Sequence, residues 1–332
     1  MRRHFKRFFW WTLHLVLLSA LTACATGGGG STGYKDLPTM AEEGDSESQE
    51  LMGMAYALGE GVPQNHREAA KWYAKAANQG RATAQYKLGF VYYIGLGVPQ
   101  DYEQAKKWYE KAAKQGHARA QANLGFMYLM GNGVIRNYEM AHELFEKAAK
   151  QGDPYAMTYL GVMYNEGLGV AKDQAKTFKL FSSAAAQGNA IAQCGLGIMY
   201  QEGQSVPQNT ESAIKWFEQA ANQGYKKAMW WLVGIYQEGQ GVPKDANKAF
   251  YWANKIAQAG NSDAQLLVAF AYERGDGVAR NVVQAYMWYS LSADGGNKSS
   301  AEHRERLSRK MKPEQIAEAK RLAREWRSHK EQ

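Results

Sequence analysis

The stretch GRATAQYKLGFVYYIGLGVPQDYEQAKKWYEKAAKQG, Gly80 to Gly116, decides the fold. Ala84, Leu88 and Tyr92 fall at i, i+4 and i+8, one apolar stripe of a helix. Gly95-Leu96-Gly97 ends that helix, because glycine takes the left-handed cap without a Cβ penalty. Val98-Pro99-Gln100 forms a turn, and the short side chain of Asp101 stands where a second helix needs its free amides capped. That helix carries Ala105, Trp108, Tyr109, Ala112 and Ala113 and stops at Gln115-Gly116. Its alanines allow close helix approach and its aromatics fill the space to a neighbour.

Moving outward, the same design recurs every 36 residues. Gly80, Gly116, Gly152, Gly188, Gly224, Gly260 and Gly296 form one column, and Gly59, Gly95, Gly131, Gly167, Gly203, Gly239 and Gly275 another. The capping column reads Asn65, Asp101, Asn137, Asp173, Asn209, Asp245, Asn281. No single helix pair can bury both of its faces, whereas stacked pairs can, so the repeat predicts a solenoid. The expected core columns are Leu88, Leu124, Leu160, Leu196 and Leu232, then Tyr92, Tyr128, Tyr164, Tyr200, Tyr236 and Tyr272. A second line should be Trp72, Trp108, Leu144, Trp216, Trp252 and Trp288.

Leu88-Gly89-x-x-Tyr92, Gly95-x-Gly97-Val98 and the run from Ala105 through Trp108-Tyr109 and Ala112-Ala113 to Gln115-Gly116 together resemble the Sel1-like repeat, a relative of the tetratricopeptide repeat. The period of 36, rather than the 34 of tetratricopeptide repeats, favours that family. The resemblance spans residues 47–296. It implies an all-α, right-handed α-solenoid of seven antiparallel helix pairs, and a helix beginning near Pro313 supplies the polar C-terminal cap in segment 297–332. Departures are local: Ser205 for a turn glycine, Thr177 for a helix alanine, and Val233 and Ala269 for the helix glycine.

Residues 1–23 read as a signal peptide, with a basic start and an apolar run from Phe8 to Ala20. That run is shorter than the roughly 20 residues a spanning helix needs. Leu21-Thr22-Ala23-Cys24 resembles a bacterial lipobox, which implies cleavage before Cys24 and lipidation of its thiol. By the same resemblance, Ala25 after the lipidated cysteine implies an outer-membrane lipoprotein, facing the periplasm or the cell surface. Residues 24–46, with Thr26 to Gly33 glycine-rich, form a flexible tether. Gly28-x-Gly30-x-x-Gly33 and Gly29-x-Ser31-x-Gly33 imitate a dinucleotide fingerprint and a nucleophile elbow. Both need a strand before and a helix after, and the tether offers neither.

The formal charge is +8, but it sits at the ends. Arg2, Arg3, Lys6 and Arg7 precede Cys24, residues from Asn297 onward carry a net +5, and residues 24–296 sum to −1. A near-neutral body argues against nucleic acid as a partner, since phosphate neutralisation needs a basic stripe. With Cys24 lipidated, Cys194 has no disulfide partner and reads as a small buried or groove-wall residue. His66, His117, His142, His303 and His329 share no zinc spacing and no repeat column. The reading is non-enzymatic, with no catalytic residue, metal or cofactor.

In tetratricopeptide-like solenoids the first helix of each pair lines a concave groove. By that resemblance the candidate partner-binding residues are Tyr86, Phe90, Tyr93, Phe126, Leu129, Asn165, Glu166, Gln201, Glu202, Trp230, Gln237 and Glu238. They describe an apolar, aromatic half followed by an acidic, amide-bearing band suited to a basic segment of a protein or peptide. The expected function is an interaction scaffold anchored to the envelope membrane through its N-terminal lipid, recruiting an envelope or host protein. The alternatives are a cell-wall or polysaccharide binding module, stacking sugars on Tyr86, Tyr93 and Trp230, and a hydrolase of cell-wall-type substrates.

Overall fold

The computed structural model describes residues 37–331, so the lipobox and Cys24 lie outside the described residues. All regular structure among them is helical, in seventeen helices. They divide into two compact units, the first ending at Lys172 and the second beginning at Asp173. The first unit holds α1 (Leu37–Glu42), α2 (Ser46–Leu58), α3 (His66–Asn78), α4 (Ala82–Ile94), α5 (Tyr102–Lys114), α6 (Ala118–Met130), α7 (Tyr138–Lys150) and α8 (Pro154–Glu166). The second holds α9 (Gln174–Ala186), α10 (Ala190–Glu202), α11 (Thr210–Asn222), α12 (Lys226–Glu238), α13 (Ala246–Gln258), α14 (Ser262–Arg274), α15 (Val282–Asp294), α16 (Lys298–Ser308) and α17 (Pro313–Glu331). Within each unit, consecutive helices pack against one another as far as α16, and α17 packs against α15.

The capping column sets the helix starts. Asn65 Oδ1 accepts from the amides of Arg67 and Glu68, Asp101 Oδ1 from Gln104 at 2.9 Å, and Asn209 Oδ1 from Ser212 at 2.8 Å. Asn137, Asp173, Asp245 and Asn281 act alike. Each such cap contributes about 1 kcal/mol. At the other end, the glycines closing the first helices sit at φ between 69° and 87°. The second turn glycine has a steric reason as well: a Cβ on Gly97 would lie 2.3 Å from the carbonyl carbon of His66. Ser205 holds the same left-handed conformation, at φ 60°, without being glycine.

The leucine column is buried throughout, from 0% to 5% exposed. The tyrosine column expected beside it is half-buried, with Tyr236 alone fully inside. Trp108, Leu144, Trp252 and Trp288 are buried, whereas Trp72 and Trp216 are half-buried. The buried aromatic column is one residue further on: Tyr73, Tyr109, Phe145, Phe181, Phe217 and Tyr289. Its partner is the helix glycine. A Cβ would come within 2.5 Å of Tyr73 from Gly53, 2.7 Å of Tyr109 from Gly89 and 2.5 Å of Phe217 from Gly197. The glycine is therefore the floor on which the ring lies.

Glutamines tie successive pairs together. Gln115 Nε2 donates to Gln85 Oε1 at 2.8 Å, and Gln85 Nε2 donates to the Ala77 carbonyl at 3.1 Å, at the end of the preceding pair. Gln79 with Gln49 and Gln223 with Gln193 repeat the first bond, at 2.8 and 2.7 Å. A buried amide with its donors and acceptors met carries little penalty and fixes register.

The N-terminal end differs from the sequence expectation. Where a loose tether is expected, Leu37–Glu42 is helical, Ala41 is buried, and its carbonyl accepts from Gln49 Nε2 at 3.0 Å. The C-terminal cap comprises two helices. Buried Ala319 and Ala323 place α17 on the preceding helices, Trp326 meets Trp288 edge-on at 6.0 Å, and Arg327 pairs with Asp294.

Candidate functional site

In the first unit the first-helix residues fall into two groups. Tyr86 is half-buried and stacks on His117, centroids 4.8 Å apart. Tyr93 accepts a hydrogen bond from Asn132 Nδ2 at 2.7 Å, and Phe126 lies 5.0 Å from Tyr159 and 6.0 Å from Tyr155. Asn165 is half-buried and donates to exposed Glu166. Phe90 and Leu129, by contrast, are only 5% and 4% exposed. Both point into the packing between helices, so they are withdrawn from the partner surface.

The same face carries a charge cluster that the candidate groove did not include. Glu50 accepts from Arg81 Nε at 2.9 Å, Thr83 Oγ1 at 2.5 Å and Lys87 Nζ at 2.7 Å. Burial pushes the Glu50 carboxyl upward, but Lys87 beside it and the three donors outweigh that and hold it below the usual range. Burial lowers the Lys87 ammonium despite the attraction of Glu50. Glu50 occupies the column that holds Tyr86 in the next repeat, where no periodic pattern announces an ion pair. Arg119 pairs with Asp153 at 2.7 Å further along. His117 caps α6, Nδ1 accepting from the Ala120 amide at 3.2 Å, and burial lowers its pKa.

In the second unit, Gln201 is buried with its Oε1 unpartnered, which removes it from the partner surface. Glu202, Gln237 and Glu238 are exposed at the ends of α10 and α12. Gln204 Nε2 donates to Glu202 at 2.6 Å, and Gln240 donates likewise to Glu238. Each carboxylate is thus oriented by an amide two residues on while staying open to solvent. Trp230 and Trp231 are half-buried, and Trp231 lies flat on Phe217 at 5.5 Å and 5°. Lys227, Trp230, Trp231, Gly234, Ile235 and Gln240 line a cleft of about 250 Å³. Cys194 is buried, and burial pushes its thiol up to about 12, so it stays protonated and unreactive near neutrality.

Among the described residues no three His, Cys, Asp or Glu side chains gather into a metal-binding group. No helix among them is long and apolar enough to cross a membrane. The arrangement offers side-chain contact surface and oriented charge along open helix faces.

The Sel1 repeat model matches residues 46–80, 82–117, 118–153, 154–189, 190–225, 226–261 and 262–297. The chain belongs to the Sel1 repeat family. Its fold is the all-α Sel1 repeat solenoid, shared with a solved Sel1 repeat protein from Oxalobacter formigenes at 34% identity and TM-score 0.65, covering 82% of this chain and 78% of that one. A protective antigen of uropathogenic Escherichia coli is similar at 31% identity and TM-score 0.52, covering 87% of this chain and 70% of that one. No curated protein matches the chain. Sel1 repeat proteins are in general protein-interaction scaffolds without catalytic activity.

Proposed function

We propose that this Sel1 repeat protein is a lipid-anchored scaffold of the bacterial outer membrane that recruits an envelope or host protein, or a peptide segment of one, on the faces of its first helices. One observation carries the reading. The frame residues repeat, whereas the residue that ends each first helix does not: it runs Leu58, Ile94, Met130, Glu166, Glu202, Glu238, Arg274, exposed from Met130 onward. Stacking alone asks for uniformity, and a surface that changes from repeat to repeat is what selective recognition requires. The exposed carboxylates of Glu166, Glu202 and Glu238 suit a basic segment.

Two experiments test this. A photo-crosslinking amino acid at position 86 or 230, used in intact cells, should capture one defined protein. Glu166→Lys, Glu202→Lys and Glu238→Lys together should reduce that capture at least tenfold while the helical signal persists. Unchanged capture would remove the acidic band from the site, and capture of nothing above a control position would end the scaffold reading. For the anchor, Cys24→Ser should abolish metabolic labelling with palmitate and release the protein from membranes. Labelling that survives the substitution rules out Cys24.

A further inference from the structure

The fold needs its helix glycines for one of two reasons, and Gly234 satisfies neither. It lies inside α12 without a left-handed φ. Gly53, Gly89 and Gly197 lie against rings that leave no room for a Cβ, but a Cβ on Gly234 would meet nothing within 4 Å. The other six repeats place Met54, Phe90, Phe126, Val162, Ile198 and Phe270 in this column. Glycine inside a helix is less stable than alanine, so stability does not account for Gly234. What its missing side chain leaves behind is the cleft between Trp230, Trp231 and Ile235, with Lys227 and Gln240 at the rim.

We propose that the Gly234 cleft is a socket for one large apolar side chain of a partner polypeptide, flanked by a carboxylate that pairs with Lys227. This rests on the scaffold reading and names its anchor. About 250 Å³ is below the ~300–1,000 Å³ of a whole small-molecule site, and it suits a single side chain. Two tryptophans and an isoleucine form the apolar lining, and tryptophan surfaces are the usual seats of binding hot spots. Lys227 at the rim is exposed and enters no ion pair among those found in the described residues, whereas the neighbouring carboxylate, Glu238, is already held by Gln240. A sugar fits less well. It needs several fixed polar partners beside the stacking ring, and the one amide at the rim, Gln240, is engaged with Glu238.

The test uses the purified full chain and three probes followed by indole N–H NMR signals, with Trp230 and Trp231 assigned through Trp230→Phe and Trp231→Phe. The probes are acetyl-Phe-Glu-amide, acetyl-Phe-Gln-amide and chitotriose. The first should shift both indoles and bind at least threefold more tightly than the second. Lys227→Gln should erase that difference. Gly234→Phe should abolish the shifts, and Gly234→Ala, which leaves most of the cleft, should keep them and shows that a helix substitution here is tolerated. Unaltered binding in Gly234→Phe, or equal binding of the two peptides, overturns the socket, as does chitotriose shifting the indoles in place of the peptides. Crosslink capture in cells separates the two readings. Capture that persists in Gly234→Phe leaves the scaffold standing and removes the socket, whereas loss of capture at every position removes the scaffold itself.

Discussion

Repeat two (82–117) and repeat six (226–261) share one frame and solve its packing in opposite ways. In repeat two, Gly89 is the floor and Tyr109 the ring that lies on it. In repeat six the same two columns hold Val233 and Ala253, both buried in one cluster, so bulk has moved from the second helix to the first. The glutamine pair departs together as well. Gln85 and Gln115 become Met229 and Ala259, which removes both ends of a partly buried hydrogen bond and leaves neither stranded. Repeat six therefore changes in matched pairs wherever packing or polarity must balance. Gly234 changes with no matching partner that fills its space. Paired departures preserve the stack, and an unpaired one marks a surface with another task.

The largest effect should come from breaking one half of such a pair. Gly89→Val drives a branched side chain into a ring already 2.7 Å from where its Cβ would stand, and overpacking of this kind costs about 3 kcal/mol. Tyr109→Ala, from a fully buried position, costs about 3–5 kcal/mol. Combining them rebuilds the arrangement native to repeat six. The double variant should lose less than the sum of the singles, by about 1–3 kcal/mol of coupling in urea unfolding. Strict additivity would show that Val233 and Ala253 are unrelated substitutions.

Next in size is the charge cluster, which has no counterpart in repeat six. Glu50→Ala leaves the half-buried Lys87 beside Tyr73 without its carboxylate, at a cost of about 2–3 kcal/mol. Because the folded Glu50 pKa is depressed, its contribution is present above the ordinary carboxyl value of 4.5 and lost as pH falls through the folded value. Wild type should therefore destabilise more steeply than Glu50→Gln between pH 4.5 and lower pH, read by thermal unfolding. The Tyr73 hydroxyl, buried without a hydrogen-bond partner in the same neighbourhood, makes the opposite prediction. Tyr73→Phe should be neutral or stabilising by up to about 1 kcal/mol.

His117 gives a smaller, pH-gated effect. Its neutral ring caps α6 by accepting from an amide, which a protonated ring cannot do. The folded pKa lies below the ordinary 6.5, so the unfolded chain takes up the proton first as pH falls. The cap's contribution, about 1 kcal/mol, is present above pH 6.5 and declines below it. His117→Asn, which keeps a capping oxygen, should flatten the stability profile between pH 5 and 7. A profile identical to wild type would mean that the ring does not cap in solution.

How far the sequence foretold this depends on what each residue answers to. Caps, turn glycines and the leucine column answer to backbone geometry, which recurs with the 36-residue period, and Asn65 to Asn281 take the roles their spacing assigns. The periodicity points to Trp108 and its equivalents as the ring column, although Tyr109 and its equivalents lie deeper. Reading Gly89 with Tyr109 as a small–large couple, and Val233 with Ala253 as its inverse, would have found it. Phe90 and Leu129 look like surface aromatic and aliphatic groups on a helix wheel, and only the neighbouring helix decides that they are covered. Glu50 with Lys87 joins residues 37 apart in sequence at positions that no other repeat fills with charge. Periodicity averages such unique contacts away.

The smallest expected change carries the sharpest contrast. Gly234→Ala and Gly89→Ala replace hydrogen by methyl in equivalent helices, one position apart in the repeat. At Gly89 the methyl meets Tyr109 and destabilises. At Gly234 it meets open space, and the gain in helix propensity, about 1 kcal/mol, is unopposed. Gly234→Ala should therefore unfold at higher urea than wild type, with an unchanged m-value. A more stable variant reached by one methyl means that the native residue is held for something other than folding, and the cleft over Gly234 is what that methyl begins to fill. Should Gly234→Ala destabilise instead, the glycine is structural after all, and repeat six has no unmatched departure left to explain.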